Sequence, residues 1–232
     1  MVFVTGDMHG DIKRFTADFL PDESEWTQDD YLIVCGDFGF IFFDDEKEKK
    51  NLDILEKKPY NILFVDGNHE GFNALASYPV EEWNGGKIHR IRRNIIHLMR
   101  GQCFTIEGKK YFTMGGAYSI DRGLRKKDYS YWEAEVPDNE EYAEASDVFF
   151  RNGRKFDYIL THTAPREIIL RLGYYPYVYD MELTGYLEWI MYECIGFKRW
   201  FFGHFHEDKT LLDGKFRALY YDVVKVGDDK DD

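Results

Sequence analysis

The sequence predicts an α/β protein, and three observations carry that expectation. Five short runs rich in β-branched and aromatic residues, at 2–4, 31–34, 62–65, 156–160 and 199–202, have the continuous apolar character of strands buried on both faces. Segments with helical start and stop signals lie between them. Each apolar run also ends at a short polar block: Gly6-Asp7-Met8-His9-Gly10, Gly36-Asp37, Gly67-Asn68-His69-Glu70, His162, and Gly203-His204-Phe205-His206.

Taken along the chain, the elements fall as follows. Val2-Phe3-Val4 runs into the first block, and a helix is expected over 11–20. Tyr31-Leu32-Ile33-Val34 leads through Cys35, a small buried hydrophobe, into Gly36-Asp37. A helix over 46–58 follows, with Lys47-Glu48-Lys49-Lys50 as its solvated face. After Ile62-Leu63-Phe64-Val65 comes the third block and a helix over 70–77, where Glu70 reads as a helix-start group or one that orients its neighbours, not as a ligand.

Phe104-Thr105-Ile106 and Tyr111-Phe112-Thr113-Met114 read as a hairpin turning at Gly108-Lys109-Lys110. It feeds Gly115-Gly116-Ala117-Tyr118-Ser119-Ile120-Asp121-Arg122-Gly123-Leu124-Arg125, whose paired glycines would let that segment approach the polar blocks. A helix over 138–152 opens on an acidic turn and stops before Gly153. The strand at 156–160 precedes His162 and a proline-started helix over 165–172, and a helix over 183–195 leads to the strand at 199–202. Tyr174, Tyr175, Tyr177 and Tyr179 follow Gly173; stacking on a nucleobase and plain packing of an aromatic loop are both open to them.

Glycines beside the blocks allow sharp turns, so the polar residues should gather on the carboxyl-end rim of a sheet, where α/β folds place their sites. Five of the 7 histidines lie inside the blocks; His89 and His97 lie outside and receive no role. Carboxylate, amide oxygen and imidazole suit divalent Mn, Fe, Zn, Ni or Co, and the set holds no thiolate that would argue for structural zinc. A carboxylate bridging two ions holds them ~3.5–4 Å apart, the arrangement used to hydrolyse phosphoesters, and Asp37 is the candidate bridge.

At 232 residues the chain can form one core, expected as a single domain over 1–227 with a frayed acidic tail at 228–232. A net charge of −13 without an extended basic stripe argues against long nucleic acid as partner. No run approaches a membrane span, and the first residues lack a secretion signal. Three scattered cysteines point to a reducing compartment, hence a cytoplasmic protein; no internal repeat is present. Oligomeric state is not legible.

In their order and content the five blocks resemble the calcineurin-like metallophosphoesterases, whose pattern is Asp-x-His, Gly-Asp, Gly-Asn-His-Glu, a lone His and Gly-His-x-His, here between residues 5 and 206. The resemblance implies an αββα sandwich of two mixed sheets flanked by helices. It also implies two divalent metals sharing a hydroxide: one held by Asp7, His9, Asp37 and His206, the other by Asp37, Asn68, His162 and His204. His69 would be the non-ligand histidine near the leaving group, polarised by Asp7. The Gly-Gly-Ala segment with Trp132 and Glu133 resembles a small bacterial and phage branch of the family.

The chain departs from the protein-phosphatase branch, which places arginines after the second block and before the third. Phe38-Gly39-Phe40 and Asp66 stand there instead. Arg122 and Arg125 are candidates to supply the missing phosphate-binding forks, against the alternative of two solvated arginines in a polar loop. The expected activity is metal-dependent hydrolysis of a small phosphomonoester or nucleotide. A phosphodiesterase or nuclease, or a Ser/Thr protein phosphatase, is the alternative. A binding module that had lost turnover should have lost ligands, and none is missing.

Overall fold

Alternation along the apolar runs, with both faces buried, builds two mixed sheets in the computed structural model, which describes residues 1–20 and 22–227. The first sheet holds β1 (Val2–Thr5), β2 (Tyr31–Cys35), β3 (Asn61–Val65), β4 (Val80–Trp83), β5 (Gly86–Arg92), β6 (Ile95–Leu98) and β13 (Val224–Lys225). Its order is β13-β1-β2-β3-β6-β5-β4, with β1, β2, β3 and β6 parallel. The second holds β7 (Gln102–Ile106), β8 (Lys109–Met114), β9 (Tyr158–Thr161), β10 (Arg199–Phe202), β11 (Lys209–Leu211) and β12 (Phe216–Ala218), ordered β11-β12-β10-β9-β8-β7. Here β8, β9, β10 and β12 run parallel.

The side-chain period of two sorts each strand between two cores. Val2, Val4, Ile33, Cys35, Leu63 and Val65 meet Phe104, Tyr111, Leu160 and Phe201 between the sheets. Phe3, Leu32, Val34, Ile62 and Phe64 face the other way, under Leu52 and Leu55 of α1 (Glu46–Leu55) and Leu75 of α2 (Phe72–Leu75). On the far side, Phe112, Ile159, Trp200 and Phe202 pack under α3 (Asn139–Arg151), α4 (Arg166–Leu172) and α5 (Met181–Glu193). These layers form the αββα sandwich. Cys35 is a fully buried member of the inter-sheet core.

Several expected elements are shorter or differently placed. Over 11–20 there is only a 3-10 turn, Ile12–Phe15, because Thr16 is extended at φ −120° while its hydroxyl bonds the Lys13 carbonyl. The helix expected over 46–58 ends at Leu55, and Lys58 reaches back to the Phe15 carbonyl. Within it, Glu48 is not solvated: it is buried and accepts from the Phe42, Phe43 and Asp44 amides, whereas Lys47, Lys49 and Lys50 are exposed.

The helix expected over 70–77 shrinks to four residues. Glu70 turns inward, accepting from the Phe38 amide at 2.7 Å and the Gly39 amide at 3.3 Å, so it orients the loop after Asp37 and starts no helix. The hairpin turns on Glu107-Gly108, both at positive φ as a two-residue turn requires, which leaves Lys109 and Lys110 in β8. Asp138 caps α3 with a capping box to Glu141. Strands β4, β5, β6, β11, β12 and β13 have no counterpart in the sequence expectation; the half-exposed Val-Glu-Glu-Trp of β4, for example, is too short and polar to stand out. The tail expected at 228–232 lies outside the described residues.

Candidate metal centre

Parallel β1, β2 and β3 deliver Asp7, Asp37 and Asn68 from their carboxyl ends, and parallel β9 and β10 deliver His162, His204 and His206. The two sets meet where the sheets face each other. Backbone conformation aims the side chains: Asp7, His9, Asp37, His204 and His206 all lie at φ between 47° and 71°. Non-glycine residues occupy that left-handed region sparingly and at a cost, and such strain concentrates at functional sites. Two glycines make the closeness possible. A side chain on Gly36, itself at φ 84°, would overlap the His162 ring, and one on Gly67 would overlap the Asp37 carboxylate.

One group of potential donors comprises Asp7, His9, Asp37 and His206, with one ligand atom from each all within 4.8 Å of one another. The Nε2 atoms of His9 and His206 face each other at 2.9 Å, and His9 Nε2 is 3.7 Å from Asp37 Oδ2. A second group closes around His162, whose Nε2 lies 3.1 Å from Asn68 Oδ1 and 3.3 Å from Asp37 Oδ1 and whose ring centroid is 4.9 Å from that of His204. His162 Nδ1 donates to the Cys35 carbonyl at 3.0 Å, which leaves Nε2 as the free lone pair. Asp37 stands in both groups.

The electrostatics suit cations. Burial pushes the imidazoles of His9 down to about 4 and of His204 down to about 3, so both are neutral donors at pH 7. Burial raises the Asp37 carboxyl, but His162, His69 and His9 around it more than offset that and hold it at about 2. Burial and the Asp37 charge drive the Asp7 carboxyl well upward. Asp7 Oδ1 accepts from the His204 amide at 2.9 Å, while its Oδ2 is buried without a partner. Two adjoining buried carboxylates, one with an orphaned oxygen, beside neutral imidazoles form a donor set that divalent ions would satisfy. Buried Arg14, bonded to the backbone of Asp7, Gly6 and Tyr220, holds the first loop in place.

The remaining expected residues divide. His69 lies beside both groups, its amide donating to Asp37 Oδ1 at 2.8 Å. The sequence pairs its ring with Asp7; the structure instead brings Arg125 Nη2 to 3.0 Å from His69 Nε2. Arg125 lines the cleft over the donor groups. Arg122 does not: its guanidinium pairs with buried Glu135 at 3.1 Å, bonds the Trp132 carbonyl and sits 3.9 Å from the Tyr118 ring centroid. It is a strut of the loop.

Sequence reasoning missed that scaffold. Asn68 Nδ2 donates to Ser119 Oγ at 3.0 Å, which turns Oδ1 toward His162, and the Ser119 amide donates to Glu135 Oε2 at 3.1 Å. Asp66 takes a two-pronged pair from fully buried Arg100 at 2.8 and 2.6 Å, and Arg100 extends to Glu141 and the Ala134 carbonyl. A side chain on Gly115 would strike Asp66, and one on Gly116 would strike the Glu135 carbonyl, so the paired glycines are what allow the loop to lie on this pair. His97 joins the network through Asp66 at 3.2 Å, and His89 stacks on His97. The Gly-Gly pair was the sequence signal for this loop; a lone Ser119 and a buried Glu135 carried none.

The cleft holds about 460 Å³ and is lined by Asp37, Asn68, His69 and His204 together with Tyr118, Tyr174, Tyr175 and Tyr177. Tyr179 stacks on Tyr118 from outside. A second opening of about 350 Å³ is lined by His9, His69, Phe42, Phe43 and Lys47.

A sequence profile described as calcineurin-like phosphoesterase matches residues 1–208, nearly the whole chain. The chain belongs to that family. The calcineurin-like phosphoesterases are metal-dependent hydrolases of phosphoesters, in keeping with the Asp and His donors gathered at the rim. Comparison with curated proteins found no match. Among solved structures, a candidate 5'-nucleotidase from Staphylococcus aureus, in complex with alpha-ketoglutarate, is similar in fold at a TM-score of 0.51 and 13% identity. The alignment covers 94% of this calcineurin-like chain and 48% of that protein, so the chain spans about half of its length. The phosphopantetheinyl hydrolase PptH from Mycobacterium tuberculosis aligns over 95% of this chain and 89% of its own, at 16% identity and a TM-score of 0.46. Among the described residues, no helix is long and apolar enough to cross a membrane.

Proposed function

We propose that the protein hydrolyses a small phosphoester with two divalent ions, one held by Asp7, His9, Asp37 and His206 and the other by Asp37, Asn68, His162 and His204. The observation that carries this reading is the position of Asp37, whose two oxygens face the two donor groups, Oδ2 toward His9 and Oδ1 toward His162. Bound there, the ions would supply a nucleophile at neutral pH and neutralise charge on the phosphoryl oxygens. Mn, Fe, Zn, Ni and Co all suit these donors, and availability decides among them.

The protein's own groups position and protonate. His69 is the proton donor to the departing oxygen, and Arg125 receives phosphoryl oxygens with its planar fork. Arg125 Nη2 donates to His69 Nε2 at 3.0 Å, which keeps that nitrogen unprotonated. Burial first, and the Arg125 charge with it, lowers the His69 imidazole. Transfer of Arg125 to a phosphate frees Nε2 to carry the proton. Protonation of His69 is thereby tied to the presence of substrate. Arg122 acts on the substrate only through the loop it braces.

A phosphomonoester is the favoured substrate. The second opening, which shares His69 with the cleft, supports a second reading, because it offers room for the other arm of a diester. Comparison of p-nitrophenyl phosphate with its bis ester separates the two. Asp37→Asn, which removes the shared charge, should abolish turnover and leave at most one ion bound. Near-normal activity with two ions bound would refute the bridging assignment. A cytoplasmic location belongs to the same reading, since Cys35, Cys103 and Cys194 are all free thiols.

A further inference from the structure

We propose that the tyrosine-lined half of the cleft is a leaving-group subsite for a nucleobase, stacked against Tyr174 and Tyr177 and hydrogen-bonded along its edge by Asp180. This rests on the phosphoester reading of the metal centre and names the substrate class, a nucleoside phosphate. Size is the first argument. A cavity of about 460 Å³ is far larger than a phosphate needs and lies within the range that buries a whole small ligand.

The second argument is the chemistry of the walls. Tyr177 and Tyr174 both line the cleft, Tyr177 packed beside Tyr118 with ring centroids 5.7 Å apart and Tyr174 stacked on Phe205 at 5.5 Å. Aromatic faces around an open slot suit a planar ring rather than a flexible chain. Ordinary core packing does not account for them: Tyr175 is 90% exposed, and Tyr174 and Tyr177 are exposed too.

The third argument is the polar groups within that apolar half. Asp180 is buried at 5% exposure yet lines the cleft, with one oxygen accepting from the Tyr118 amide at 3.2 Å. Among the described residues no basic side chain bonds it directly, and Arg122, whose charge draws its pKa down, is committed to Glu135. Burial pushes the Asp180 carboxyl up to about 7, so it can accept from a ring N–H or donate to a ring nitrogen. Thr163 also lines the cleft, and its buried hydroxyl has no partner. An alkyl leaving group offers the Asp180 carboxyl no further partner, whereas a base edge carries donors and acceptors for it.

With such a substrate, water adds to phosphorus and the P–O bond to the nucleoside breaks. The proton passes to the nucleoside oxygen, giving nucleoside and inorganic phosphate. Arg125 and His69 line the same cleft as Asp180 and the tyrosines.

The test uses the metal-loaded full chain. Rates on nucleoside 5'-monophosphates are compared with those on ribose 5-phosphate, which has the phosphate and sugar but no base. Binding of free nucleosides is measured in parallel by calorimetry, which needs no turnover. At least one nucleotide should exceed ribose 5-phosphate in kcat/KM by about tenfold or more, the scale of base stacking on aromatic side chains. Asp180→Asn keeps an oxygen for the Tyr118 amide, and Tyr177→Leu keeps bulk. Each should lower kcat/KM for the nucleotide several-fold more than for ribose 5-phosphate and weaken nucleoside binding. Equal rates on nucleotides and ribose 5-phosphate, or an unchanged preference in both variants, would overturn the subsite. Nucleoside binding without hydrolysis of any phosphoester would uphold the subsite and refute the function proposed for the metals.

Discussion

Replacing Ser119 by alanine removes one hydroxyl from the loop above the metal centre. The native oxygen lies 3.0 Å from Asn68 Nδ2, with both residues buried, and it also receives Arg125 Nη1 at 3.4 Å. Leaving a buried amide donor unpaired costs about 1–3 kcal/mol, and the amide is then free to rotate its oxygen away from His162. If that cost falls on the metal-bound form, it corresponds to about 5–150-fold in affinity, which overlaps the 10–100-fold typical of groups that orient a metal ligand. The loss should fall on one ion only, because His9 and His206 have no contact with Ser119. Stepwise metal titration by calorimetry, with metal counted after dialysis, reads both affinities. Ser119→Thr, which keeps the hydroxyl, should recover most of the binding. Two ions bound with native affinity in Ser119→Ala would refute the orienting role of the hydroxyl.

Arg125→Ala should lower kcat/KM by about 1.5–3 kcal/mol with metal content intact, the scale of a hydrogen bond to a charged group, whereas Arg122→Ala should lower melting temperature first; kinetics beside thermal melts separate them. Asp66→Asn leaves Arg100 buried with its main partner uncharged and should cost about 3–5 kcal/mol in urea unfolding, so a loss under about 1 kcal/mol would show the pair to be incidental. The metal-free protein should lose stability as pH falls from the ordinary histidine range near 6.5 toward about 4 for His9 and about 3 for His204. Over that window the unfolded chain binds protons that the folded one refuses, so stability rises with pH; a flat melting profile between pH 6.5 and 4 would contradict it.

The parallel strands and their rim residues were legible because buried strands leave unbroken apolar runs and each run stops at a glycine-flanked polar block. Asp7, His9, Asp37, Asn68, His162, His204 and His206 all arrive at one place for that reason. What escaped notice depends on contacts far apart in sequence. Nothing local marks Glu135 as the acid that anchors Ser119 and Arg122, 16 and 13 residues away. Asp66 reads as a missing arginine until Arg100 is seen folded against it, 34 residues on. Arg122 and Arg125 look alike in the sequence, and only the distribution of Glu135, Trp132 and His69 around them makes one a brace and the other a neighbour of the site. The helix over 11–20 failed for a local reason: the Thr16 hydroxyl offered the backbone a partner outside the helix.

The donor groups straddle the seam between the sheets. Asp7, His9, Asp37 and Asn68 follow the carboxyl ends of strands in the first sheet, whereas His162, His204 and His206 follow strands of the second. The chain completes β1 through β6 before it begins β7, with only residues 99–101 between them. Neither half owns a complete centre. Ions at the rim would therefore act as a clasp across two halves of the chain that are otherwise joined by apolar contact, by the Asp66–Arg100 pair and by β13, which the second half lends to β1. Chelation should loosen the mouth of the sandwich before its base, and fragments cut at residues 99–101 should recover metal binding only when they reassemble.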